Sequence, residues 1–107
     1  MDYWIRHHGA DMAKHMKIGT KVVRGVDWKS EWTCDGHGTP GEGTITEEAD
    51  RYDRKVRVRW HNTSNEQYYE MGNKNKYQIR LANSEIAKLF ADKYKLTPDE
   101  IVQLLNE

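Results

Sequence analysis

The run Val56-Arg-Val-Arg-Trp60 constrains this chain more than any other stretch. Apolar and charged side chains alternate with a period of two, the mark of a β-strand with one buried face. Val56, Val58 and Trp60 share the inward parity. Lys55, Arg57 and Arg59 share the outward one, so Trp60 reads as core and the arginines as surface.

Other short strand signals surround it. Val22, Val23 and Val26 are β-branched, and Thr44-Ile45-Thr46 resumes a strand after a loop punctuated by Gly36, Gly38, Gly41 and Gly43. Residues 67–70 and 77–81 supply two more strands, separated by turn chemistry at residues 47–54, 61–66 and 71–76. Short strands joined by Gly-, Asn- and Asp-bearing loops, with no long helix among them, predict a mainly β domain, a small barrel, over residues 18–82. Residues 1–17, polar and dotted with histidines, read as a weakly helical leader or linker in which Asp11 caps a short turn through Met16. Beyond Ala82 the period changes. Ile86, Leu89 and Phe90 fall at helical spacing, and Thr97-Pro98-Asp99-Glu100 is a helix start with cap, first-turn proline and capping box. Residues 83–107 therefore read as a short helical hairpin, which serves as a partner-binding helix, a dimerisation arm or a flap; packing on the barrel together with Trp4 and Ile5, to cover its apolar face, is the favoured reading.

Composition narrows the function. Of 107 residues, 36% are hydrophobic and 32% charged, so the core is small and a surface-binding module is favoured over a deep catalytic cavity. Seventeen basic and seventeen acidic residues cancel, which argues against a generic electrostatic nucleic-acid binder. One cysteine excludes an intrachain disulfide framework and points to a reducing, intracellular setting, cytoplasmic with a nuclear address left open. No apolar run approaches the ~20 residues of a membrane span. Cys34-x-x-His37 resembles half a zinc site, but the sequence offers no second half. Cys34 beside His37 lacks the oxyanion loop and orienting group of a nucleophilic site. The glycine cluster lacks the Gly-Lys-Ser/Thr ending of a phosphate loop. No catalytic residue, metal or cofactor is expected.

The candidate residues are those of recognition. Trp28, which follows a Gly-x-Asp turn, stands evenly between core and surface; Trp32, in the glycine loop, is the more exposed aromatic. Asp27 either caps its own turn or contacts a basic peptide, and Arg24 lies close enough in sequence to pair with it. Lys55, Arg57 and Arg59, with Arg51 and Arg54 before them, form a cationic strand face interleaved with Tyr52, Tyr68, Tyr69 and Tyr77. Such a face serves an acidic peptide, phosphate groups, or solvation alone.

Together these segments resemble the Mind-bomb/HERC-type domain. The resemblance rests on Gly19-x-x-Val22-Val23-Arg24-Gly25-Val26-Asp27-Trp28, Asp35-Gly36, Gly41-x-Gly43-x-Ile45, Val56-x-Val58-x-Trp60-x-Asn62, Tyr69-x-x-Gly72 and Lys76-Tyr77-x-Ile79. It spans about residues 17–81. Ser30 stands where the family usually has a second tryptophan, His61 and Thr63 replace an acidic residue and a glycine, and Asn75 replaces a further glycine. The resemblance implies an SH3-like β-barrel from large ubiquitin-protein ligases. It implies a non-catalytic module, with transfer performed by a HECT or RING unit elsewhere, that captures a short peptide segment of a substrate or partner. Arg24, Asp27, Trp28, Trp32, Arg57, Arg59, Tyr69 and Tyr77 are the expected peptide contacts, with the peptide lying between the Trp28–Gly43 loop and the Asn62–Lys76 segment, and the isolated domain is expected to be monomeric. A nucleic-acid-binding barrel using the basic strand face is the alternative, and a structural spacer the third reading.

Overall fold

A computed structural model describes residues 2–36, 40–50 and 52–106. The chain runs α1 (Asp2–Lys14), β1 (Lys21–Arg24), β2 (Gly43–Glu47), β3 (Lys55–Trp60), β4 (Glu66–Glu70), β5 (Ile79–Leu81), α2 (Asn83–Lys93) and α3 (Pro98–Leu105). The fold is mainly β, as expected. The five strands form one antiparallel sheet in the order β4-β3-β2-β1-β5.

The alternation of β3 is realised residue by residue: Val56, Val58 and Trp60 are buried, and Lys55, Arg57 and Arg59 are exposed. Val22, Ile45, Ile79 and Leu81 join them from the neighbouring strands. The sheet does not close into the expected SH3-like barrel. Its two edge strands meet only where β4 ends: Met71 bridges Tyr77, Glu70 N–H donates to Gln78 Oε1 (2.8 Å), and Gln78 N–H donates to the Glu70 carbonyl (3.1 Å). With strands of three to six residues, too little backbone is left to pair the remaining edge of β4.

Residues 2–14, where the sequence suggested a polar leader, form a helix that joins this core. Ile5, Met12 and Met16 are fully or almost fully buried against the sheet and α2. The helix breaks at His8 (φ −128°, ψ 17°), next to Gly9, where a Cβ would come within 2.3 Å of the Tyr77 ring. Glycine there lets α1 lie directly on that ring. Asp11 does not cap a turn. Its carboxylate pairs with Lys93 (2.9 Å) and accepts from the Tyr94 hydroxyl (3.1 Å), tying α1 to α2.

The expected hairpin covers the same core. Ile86, Leu89 and Phe90 of α2 and Ile101 of α3 are buried, and Trp4 of α1 packs edge-on against Phe90 (5.0 Å) and Tyr94 (6.2 Å). Thr97 and Glu100 form the capping box anticipated from their spacing: each side chain accepts from the other's backbone N–H. Lys95 turns the chain between the helices in a left-handed conformation (φ 56°).

Candidate peptide-binding groove

A concavity of about 850 Å³ lies between the loop after β1 and the β3–β4 hairpin. Glu31, Trp32, Cys34 and Gly36 line one wall; Thr63, Asn65, Gln67 and Tyr68 line the other, with Tyr69 between them.

The loop wall is held from beneath. Arg24 shares the parity of buried Val22 and therefore points inward. Its guanidinium donates twice to Asp35 (2.5 and 2.9 Å), whose side chain is fully buried. Gly41 N–H donates to the same carboxylate (3.0 Å). Burial by itself raises the Asp35 pKa, but the hydrogen bonds from Arg24 and Gly41 outweigh it and hold the carboxyl below its ordinary range. Gly41 is obligatory here, because a Cβ would sit 1.8 Å from the Asp35 carbonyl oxygen. The expected Arg24–Asp27 pair is thus absent. Arg24 belongs to Asp35, and its guanidinium also lies over the Trp28 ring (5.1 Å).

Aromatic rings form the floor. Trp28 stacks on Tyr69 (centroids 5.5 Å apart) and meets Trp32 and Trp60 edge-on at 5.3 and 5.5 Å. Trp60 is fully buried, and its Nε1–H donates to the Tyr69 hydroxyl (2.8 Å). Since an indole only donates, the Tyr69 oxygen accepts that bond, and Cys34 Sγ lies 3.1 Å away as its second partner. Burial and the contact with Cys34 raise the Tyr69 pKa above its ordinary value. The hairpin closes one end: the Thr63 hydroxyl and Asn65 Nδ2 both donate to the Cys34 carbonyl (2.5 and 3.4 Å). His37, the other member of the Cys34-x-x-His37 motif, lies outside the described residues, as do Gly38 of the glycine loop and Arg51 of the basic run.

The second wall is a sheet edge. Tyr69 and Gln67 face β3 opposite Val56 and Val58. Glu70 turns its N–H and carbonyl the other way, toward Gln78. In an antiparallel ladder this direction repeats at every second residue, so Tyr68 and Glu66 also present N–H and C=O away from β3. No described residue bonds them there.

The expected contacts therefore divide. Trp32 and Tyr69 line the groove and Trp28 supports it. Arg57 reaches its rim indirectly, lying over the Tyr68 ring (5.7 Å). Arg57 and Arg59 both pair with Glu66 (2.7 Å each), and Tyr68 donates to Glu47 (2.7 Å), so cross-strand acids interleave with the basic face. Asp27 sits elsewhere, accepting from Arg6 (2.8 and 3.0 Å) and from Tyr77 N–H (2.7 Å). Burial raises its pKa, but the Tyr77 and Arg6 bonds prevail and lower it. Tyr77 is only 7% exposed, beneath α1. The sequence reading laid the peptide between residues 28–43 and 62–76, the two segments that hold Glu31, Thr63, Asn65 and Gln67, without naming those four as contacts. The turn residues Thr63-Ser64-Asn65 carried a signal for a hairpin, but none for what the hairpin touches.

An open antiparallel sheet, backed by helices and carrying an aromatic-floored groove along an unpaired edge, defines a small β-type domain with a candidate surface site. The chain belongs to the Mib_herc2 domain family, whose model matches residues 19–83, the sheet and its groove. It is 42% identical over 74 residues to the human E3 ubiquitin-protein ligase HERC2 (69% of this chain, 1% of that protein). It is 40% identical over 74 residues to the human putative HERC2-like protein 3 (69% of this chain, 6% of the relative). To the E3 ubiquitin-protein ligase Ufd4 of Drosophila melanogaster it is 41% identical over 78 residues (72% and 3%). The chain thus matches a few per cent of the length of these relatives. No described helix is long and apolar enough to cross a membrane.

Proposed function

We propose that this domain is a non-catalytic recognition module of an intracellular ubiquitin-ligase-type protein, which captures a short extended segment of a substrate or partner. The observation that carries this reading is the groove. One wall offers unpaired backbone groups of Glu66 and Tyr68, the other is pinned by the Arg24–Asp35 pair, and the floor is aromatic. An extended peptide adding to a sheet edge gains main-chain hydrogen bonds, while its alternate side chains enter the adjoining depression. The ligase relatives support the setting, and the transfer chemistry belongs to another part of such a protein. The small groove implies weak affinity, about micromolar or weaker.

The pairing of both Arg57 and Arg59 with Glu66 favours peptide over nucleic acid, because a phosphate contact there has to displace an existing carboxylate. Titration of the 15N-labelled domain with a panel of extended peptides tests the reading. Amide shifts are expected to cluster on residues 31–36 and 63–69. A panel that never shifts those two segments overturns it, and steeply salt-dependent binding to labelled RNA or DNA in their place establishes the alternative.

A further inference from the structure

The groove differs in charge from the basic strand face beside it. Its described lining includes one acidic side chain, Glu31, and no lysine, arginine or histidine. Glu31 is exposed, and no described residue pairs with it. The rings of Trp32, Tyr68 and Tyr69 line the same cavity. The domain already uses two of these rings to hold cations: Lys29 Nζ lies 5.4 Å from the Trp32 centroid and the Arg57 guanidinium 5.7 Å from that of Tyr68. Neither cation lines the groove, so both rings keep surface turned toward it. An aromatic face attracts a cation through its quadrupole, most strongly for tryptophan. An unpaired carboxylate beside such faces adds Coulombic attraction.

We infer that the groove selects a peptide bearing a lysine or arginine, whose charged head lies against Trp32 and Tyr68 and pairs with Glu31. This rests on the peptide reading above and reverses the charge expected from the arginine face: Arg57 and Arg59 share Glu66 on the strand face, and the groove's described lining carries the unpaired Glu31. Pairing of the peptide with the Glu66 and Tyr68 backbone would set a basic side chain over the Trp32 side of the cleft.

Four blocked pentapeptides, Ser-Val-X-Val-Ser with X as lysine, arginine, glutamate or norleucine, test this by NMR titration of the domain. The lysine and arginine peptides are expected to bind about tenfold more tightly than the glutamate one, moving the Trp32 indole N–H and the Glu31 and Tyr68 amides. The exposed substitution Glu31→Lys is expected to keep the native spectrum and to reduce that preference to parity or reverse it; Trp32→Ala is expected to weaken all four. Equal or tighter binding of the glutamate or norleucine peptide overturns the inference and leaves peptide recognition standing. So does a lysine preference unchanged by Glu31→Lys. Absence of groove shifts with all four overturns the inference, and extension of that silence to the wider panel overturns the peptide reading with it.

Discussion

Replacing Arg24 with methionine isolates the contact that shapes the groove. The variant keeps a side chain of similar length but leaves the Asp35 carboxylate fully buried with no counter-ion, stabilised by the backbone amides of Gly41 and Asp35 itself. Stranding one partner of a buried ion pair typically costs about 3–5 kcal/mol. Arg24 keeps 27% of its side chain exposed, so water already shares its charge and the lower end, about 3 kcal/mol, applies. Against the roughly 5–15 kcal/mol typical of a domain, that is readily measured by urea unfolding followed by tryptophan fluorescence. The pH dependence carries the sharper signature. In the native protein the Asp35 pKa is depressed, so its contribution is present above the unfolded value of about 3.9 and is lost as pH falls through the folded one. In Arg24→Met the stranded carboxyl has a raised pKa. The folded state then binds a proton that the unfolded chain releases, and the deficit shrinks as pH falls from 7 toward 4. A deficit below about 1 kcal/mol at pH 7, or one that does not diminish on acidification, would refute the account of this pair.

Other substitutions test how the pieces are joined. Ile5→Ala removes a fully buried side chain from α1 and is expected to destabilise the whole domain by about 2–5 kcal/mol, lowering a single unfolding midpoint; loss of α1 helicity alone, with the sheet unaffected, would show that the helix is not part of the core. Gly41→Ala places a methyl against the Asp35 backbone, which no side-chain rotation relieves; thermal unfolding should show a clear drop in midpoint, and an unchanged midpoint would mean the loop lies differently. Thr97→Ala breaks the capping box and should cost about 1 kcal/mol, with amide exchange accelerating first at the start of α3.

Much of the fold was legible because short-range geometry decides it. The alternation in residues 56–60 determined which face of β3 is buried and placed Trp60 in the core, since side chains on a pleated strand must alternate. Thr97 and Glu100 announced the start of α3 because a capping box closes within a single turn. The open sheet was less legible. Strand signals identify strands, but closure depends on whether the last edges are long enough to meet.

The site was legible only in part. Trp32 and Tyr69 were identified as aromatic contacts, and they do line the groove. The two segments that form its walls were expected to flank a peptide, but Glu31 and residues 63–67 were not singled out, because the contacts that join them span some thirty residues, as in the Thr63–Cys34 bond (29 residues). Arg24 offers the instructive case. Proximity in sequence suggested Asp27 as its partner. Tertiary folding assigned Asp35, 11 residues away, and gave Asp27 to Arg6, 21 residues away. By itself the sequence determined the strands, the capped helix and the signature of a Mind-bomb/HERC-type domain. Only the tertiary structure decided the partners of the charges, the burial of α1 and the walls of the groove, because Coulombic and packing contacts form between whatever surfaces the folded backbone brings together, with no periodicity along the chain to announce them.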